Sequence, residues 1–125
     1  MKPNLLALAP MLLLAALLAA CGPSGVDHVE LSTSAPPLAG QFTANGASVP
    51  VGMVIAFQGA PKSNANKDLS VTLLASTDDP AVAQVLPTTT DNQFVLVGAR
   101  AGTTTLHIRD GGHELDTIPV TVTPQ

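Results

Sequence analysis

Few side chains in this sequence are suited to chemistry, and their spacing decides what they can do. His107 and His113 stand either side of Asp110-Gly111-Gly112, a strong turn signal. If the turn set them face to face, with Asp110 or Asp116 beside them, they would form the closely spaced ligand group that zinc or copper needs. The plainer reading places His107 on the solvated side of a strand with Thr105 and Arg109, and His113 exposed at the exit of the turn. No metal site is therefore expected. Asp78-Asp79 and Asp91-Asn92 carry the oxygen ligands that calcium prefers, but they fit no calcium-loop spacing and suit turns better. Lys62 and Lys67 lie in Gln58 to Asp68, a stretch of Asn, Ser and Gly that reads as an exposed loop able to meet an acidic partner. There is no Gly-x-Ser-x-Gly, no phosphate loop and no activated thiol. No catalytic residue and no cofactor is expected, and the chain is not expected to be an enzyme.

The single Cys excludes an internal disulfide and a Cys-based zinc site. What precedes it is a different matter. Leu5 to Ala20 holds no charge and is mostly Leu and Ala, following a start that carries Lys2. Sixteen residues of helix span about 24 Å, short of a bilayer core of about 30 Å, and Pro10 would strain such a helix. The pattern reads as an export signal. Its end, Leu18-Ala19-Ala20-Cys21-Gly22, resembles the lipobox of bacterial lipoproteins. That resemblance implies a diacylglyceryl thioether on Cys21, signal cleavage between Ala20 and Cys21, and a further fatty acyl chain such as palmitate on the new amino terminus. One acyl chain holds a protein only marginally, whereas two or three give a lasting anchor. An ordinary secretory signal with a free thiol, or an uncleaved anchor, are the alternatives. Gly22 in place of Asp, by resemblance to Gram-negative sorting, points to the outer membrane.

Cleavage would leave Lys62, Lys67, Arg100 and Arg109 against nine acids, a net charge of −5. Such a chain lacks the basic clusters that hold a phosphate backbone, so no nucleic-acid partner is expected. With Phe42, Phe57 and Phe94 as the only aromatic residues, platforms for sugar rings or unpaired bases are scarce too. The expected membrane contact is the lipid on Cys21, and not the folded part.

Strand signals fill the rest of the chain. Val29 and Leu31 alternate with His28 and Glu30 in Val26 to Ser32. Asn45-Gly46 between Phe42 and Val49 marks a hairpin. Met53, Ile55 and Phe57 alternate, as do Leu69, Val71, Leu73 and Ala75. Ala83 and Val85 follow the Asp79-Pro80 turn, Phe94 to Val97 is apolar on both faces, and Leu106 and Ile108 oppose Thr105, His107 and Arg109. Ile118, Val120 and Val122 close the series, with Pro119 requiring an edge position or a bulge. Seven or eight short strands at regular spacing predict an all-β sandwich or small barrel.

Three segments carry a family resemblance. Asp79-Pro80-Ala81-Val82-Ala83-Gln84-Val85, Val97-Gly98-Ala99-Arg100-Ala101-Gly102-Thr103-Thr104-Thr105-Leu106-His107-Ile108 and Pro119-Val120-Thr121-Val122 resemble the bacterial Ig-like domain, group 2. The resemblance implies an Ig-like antiparallel β-sandwich of about seven strands. The family's core Trp is absent, with Leu74 or Ala75 near its place, and Ala35 to Ser48 is long enough for an extra hairpin. A second reading makes Ser32 to Gly40, with Pro36-Pro37, a semi-rigid stalk.

The expected organisation is a lipoprotein signal peptide over 1–20, the lipidated Cys and a short tether over 21–25, and the sandwich over 26–123. The expected role is a lipid-anchored, non-enzymatic module of the bacterial envelope, with the domain in the periplasm. It would bind an unidentified envelope protein or serve as an accessory subunit of an envelope complex. A surface adhesion module and an inhibitor of a hydrolase are the alternatives.

Overall fold

The computed structural model describes residues 25–34 and 39–125. The signal segment, Ala20, Cys21 and Pro36-Pro37 lie outside the described residues. The chain forms β1 (His28–Thr33), β2 (Gln41–Thr43), β3 (Gly46–Pro50), β4 (Val54–Lys62) and β5 (Leu74–Thr77). It continues with β6 (Ala83–Pro87), β7 (Gln93–Gly98), β8 (Gly102–Asp110) and β9 (His113–Thr123). There is no helix among the described residues. A four-stranded sheet runs β1-β4-β7-β6 and a five-stranded sheet β2-β3-β9-β8-β5. Apart from β2, this is the ABED and GFC order of an Ig-like sandwich, with β3 added beside the final strand. The expected fold class is thus observed, with nine strands in place of about seven. The extra hairpin is β2–β3, and the β3–β9 pair is parallel where an antiparallel sandwich was expected throughout.

Alternation sets which residues meet between the sheets. Ile55, Phe57, Phe94, Leu96 and Ala83 point inward from the first sheet, and Val49, Leu106, Ile108, Ile118, Val120 and Val122 from the second. Burying each of these larger side chains contributes roughly 1.5–3 kcal/mol. Leu74 does not stand in for the missing Trp, because it faces solvent at 55% exposure, while Ala75 packs on the core. The aromatic part of the core is instead a row of three phenylalanines. Phe42 stacks on Phe57 at 4.7 Å between ring centroids, and Phe57 meets Phe94 at 5.5 Å.

Several local expectations are corrected. The stretch Gln58 to Asp68 is not one loop: β4 continues to Lys62, since Gly59 and Pro61 are buried against β1. Leu69 to Leu73 keeps the alternating burial of a strand, but its ladder with β8 begins only at Leu74↔Arg109, because β8 ends at Asp110. The β2–β3 turn is Ala44-Asn45, closed by the Thr43 hydroxyl, which accepts from Asn45 N and donates to Gly46 O. Pro119 sits in an interior strand, one residue before the β3 ladder begins at Ala47↔Val120, so the donor it lacks falls at the mouth of that ladder. The bulge in β8–β9 lies at Ile108/Arg109 instead.

Candidate functional site

β8 presents Leu106 and Ile108 to the core, so His107 and Arg109 stand on the outer face of the five-stranded sheet, as the alternation predicts. His107 is not simply solvated there. Its side chain is 14% exposed and lies between two carboxylates. Nε2 donates to Asp78 Oδ1 at 2.8 Å, and Nδ1 donates to the Glu114 carboxylate. Arg109 Nη2 lies 4.0 Å from Glu114 Oε1. Hydrogen bonding to Glu114, and secondarily to Asp78, raises the His107 pKa above its usual 6.5, while partial burial pulls against it.

Three elements build this cluster. Asp78 follows β5 directly and is fixed by its own N–H on Thr105 O, at 3.1 Å. Glu114 arrives through the bulge: a straight continuation of the Ile108↔Asp116 pairing would set Leu115 opposite Arg109, and the extra residue sets Glu114 there. Ser76 is the cross-strand partner of His107. Both imidazole nitrogens already face carboxylates, so neither is directed at that hydroxyl, which is what nucleophilic activation would require.

The structure does not bring His107 and His113 together. Their ladder partners are Thr117 and Asp110, and His113 is exposed. Among the described residues no group of three or more His, Cys, Asp or Glu converges as a metal site. Asp79 Oδ1 accepts from Ala81 N at 3.1 Å while Oδ2 lies 3.8 Å from Arg100 Nη2, which is turn formation. Lys62 is 15% exposed, bonded to the Asp68 carboxylate and 4.0 Å from Glu30. Hydrogen bonding to Asp68 raises its pKa. Of the two lysines assigned to a docking loop, only Lys67 stays in one. Leu86 and Val54, 43% and 53% exposed, are the large apolar side chains showing on the outer face of the four-stranded sheet.

Two roles escaped sequence reasoning. Glu114 could be placed beside His107 only by knowing where the hairpin bulges. Asn92 reads as a turn residue, yet its side chain spans the sandwich end. Oδ1 accepts from Leu73 N and Nδ2 donates to Val71 O, both at 2.8 Å, while its backbone O accepts from Gly59 N at 2.9 Å. The sequence offers only its being an Asn, one of the few residues that readily occupy the left-handed region where its φ of 58° places it. A recess of about 300 Å³ opens beside it, lined by Leu69 to Thr72 and Asp91.

No protein-family model matches this chain, and no curated protein matches it in sequence. Solved structures do. Domains 4–9 of the surface layer protein SbsC match with a TM-score of 0.63 at 18% identity, over 82% of this chain and 15% of that one. Domains 4 and 5 of the same S-layer protein match with a TM-score of 0.57 at 20% identity, over 77% of this chain and 54% of that one. Domains 5–6 give a TM-score of 0.62 at 17% identity, over 81% and 45%. This chain spans about half the length of the two-domain fragments and about a seventh of the longer one. At such identities the likeness shows the sandwich fold.

Proposed function

We propose that this chain is a lipid-anchored, non-enzymatic Ig-like module of the bacterial cell envelope, acting in protein binding or as an accessory subunit of an envelope complex. In this reading Cys21 carries the lipid, cleavage falls between Ala20 and Cys21, and the domain stands in the periplasm on the outer membrane. The observation that carries it is the position of the sandwich: β1 begins at His28 and is already held at Asp27, whose N–H donates to Lys62 O at 2.8 Å. Only Gly22 to Val26 lies between Cys21 and that first held residue, about 17 Å at full extension. A sandwich held so near the bilayer meets proteins of that membrane. The occupied nitrogens of His107 support a non-enzymatic role.

The test is recovery of the full chain from native membranes after brief chemical cross-linking. One envelope protein in stoichiometric amount is the expected result. Recovery of no envelope protein, together with binding to foreign surfaces, would overturn it. A second reading, a surface adhesion or surface-coat module, is favoured by the likeness to surface layer protein domains. Digestion by protease added to intact cells separates the two, since a periplasmic domain is protected. An inhibitor of a hydrolase would need a long exposed loop, and of Gln58 to Asp68 only five residues remain outside β4 and the Lys62↔Asp68 bridge.

A further inference from the structure

We infer that His107 is a proton-operated clamp joining the β5–β6 connection to the β8–β9 hairpin. Its two ring nitrogens meet two different acids: Asp78 from the connection and Glu114 from β9. Both contacts require an N–H donor, and an imidazole carries two N–H groups only as the cation. A neutral ring turns a lone pair toward one carboxylate, so loss of a single proton must break one contact. The two acids are 29 and seven residues from His107 in sequence, so one contact is long-range and the other lies within the hairpin.

The geometry also says which contact goes. Glu114 is the less exposed of the two acids, at 43%, and keeps Arg109 at 4.0 Å when the ring is neutral. Asp78 is 64% exposed, and His107 is its ion-pair partner. Nε2 therefore gives up the proton, and the Asp78 carboxylate turns to water. Among the described residues, the groups beside the ring come from three elements. β5 contributes Ser76, which is uncharged, and its following connection contributes Asp78. β9 contributes Glu114 and the uncharged Thr117, and β8 itself contributes Arg109. Asp79 is turned away onto Arg100 and Asp116 onto Thr117 N.

Opening is local. Val82 is buried, its carbonyl accepts from Ala99 N at 2.9 Å, and Asp79 N donates to Thr104 Oγ1 at 3.0 Å. The far end of the connection stays pinned, while its start is left on the Asp78 and Asp79 backbone bonds alone once the Asp78 side chain lets go. The device is independent of the lipid anchor. It makes the five-stranded sheet's outer face close in mild acid and loosen toward alkaline pH.

The experiment uses the full chain in detergent micelles with ¹⁵N-labelled histidine, following the imidazole of residue 107 through pH, alongside amide exchange corrected for its intrinsic pH dependence. In the native chain both ring nitrogens carry protons below the midpoint, and above it the Nε2 proton is lost. Across that midpoint exchange at the Asp78 and Asp79 amides accelerates roughly two- to five-fold, the range expected when an exposed ion pair is broken, while that of Val82 does not change. D78N and E114Q each lower the midpoint, and H107Q removes the pH step in exchange. Unchanged exchange of the β7 amides in all variants verifies that the sandwich is intact. A midpoint left in place by D78N or by E114Q, or exchange without a step at Asp78 and Asp79, overturns the clamp.

Discussion

Replacing Asn92 tests whether a single turn side chain ties the two sheets together. Its amide makes two 2.8 Å hydrogen bonds, to Leu73 N and Val71 O, in a half-buried setting. Each contributes about 1 kcal/mol net, somewhat more where the partner is left without water. Its φ of 58° adds a second effect, since Ala enters that region at about 1 kcal/mol more than Asn or Gly. Asn92→Gly should therefore lose about 2 kcal/mol and Asn92→Ala about 3. Asn92→Asp keeps the acceptor for Leu73 N but sets a carboxylate oxygen against Val71 O, and should lose at least as much as one bond, about 1–2 kcal/mol. For a sandwich of about a hundred residues with 5–15 kcal/mol of total stability, these are large fractions. Urea unfolding followed by far-UV circular dichroism reads them directly, with the slope checked for constancy. If Asn92→Gly stays within about 0.5 kcal/mol of the native chain, the side-chain bridge carries nothing. If Ala and Gly are equal, the positive φ at residue 92 costs nothing.

Protonated His107 is favoured in the folded chain by Glu114 first and Asp78 second, so its folded pKa lies above the unfolded value. Its stabilisation is complete below about pH 6.5 and fades as pH rises through the folded pKa. The Tm of the native chain should exceed that of His107→Gln by a few degrees at pH 6, with the gap closing by pH 9; a gap that widens with pH refutes this. Gly98→Ala should lose about 2–3 kcal/mol in urea, because the added Cβ would lie 2.6 Å from Pro50 O, a backbone atom that cannot step aside. A variant as stable as the native chain would show that the β3–β4 corner yields freely. Cys21→Ala should leave uncleaved precursor or release the chain from membranes on fractionation; mature-sized protein remaining membrane-bound would remove the lipid from the argument.

Much of the sandwich is legible in the sequence because alternation is a local signal. Ile55 and Phe57, Leu106 and Ile108, and Ile118, Val120 and Val122 all face inward as the period of two requires. What escapes is decided by neighbours. Leu69 to Leu73 alternates like a strand, yet β8 turns back at Asp110 and leaves it no ladder partner. Gln58 to Lys62 looks like loop because Gly59 and Pro61 interrupt it, but Gly59 is small where Leu73, Val29 and Leu31 close in, and so belongs in the strand. Pro119 suggests an edge, and its neighbour's late start is what lets it sit inside the sheet. At the candidate site, the outward position of His107 follows from its place between Leu106 and Ile108. Its two acids do not, since one depends on a bulge and the other on where β5 ends.

The placement of β9 between β3 and β8 has a consequence for how the molecule forms. Without β9, the β2–β3 hairpin has no neighbour in its sheet, and the inner face loses Ile118, Val120 and Val122 together. The central strand of that sheet is also the last one made, so no partial chain can close the core as it emerges. Loop-closure entropy between β3 and a strand about seventy residues later must be met before that contact repays it, which slows folding. A chain shortened by β9 should remain soluble only as an open, protease-sensitive polymer.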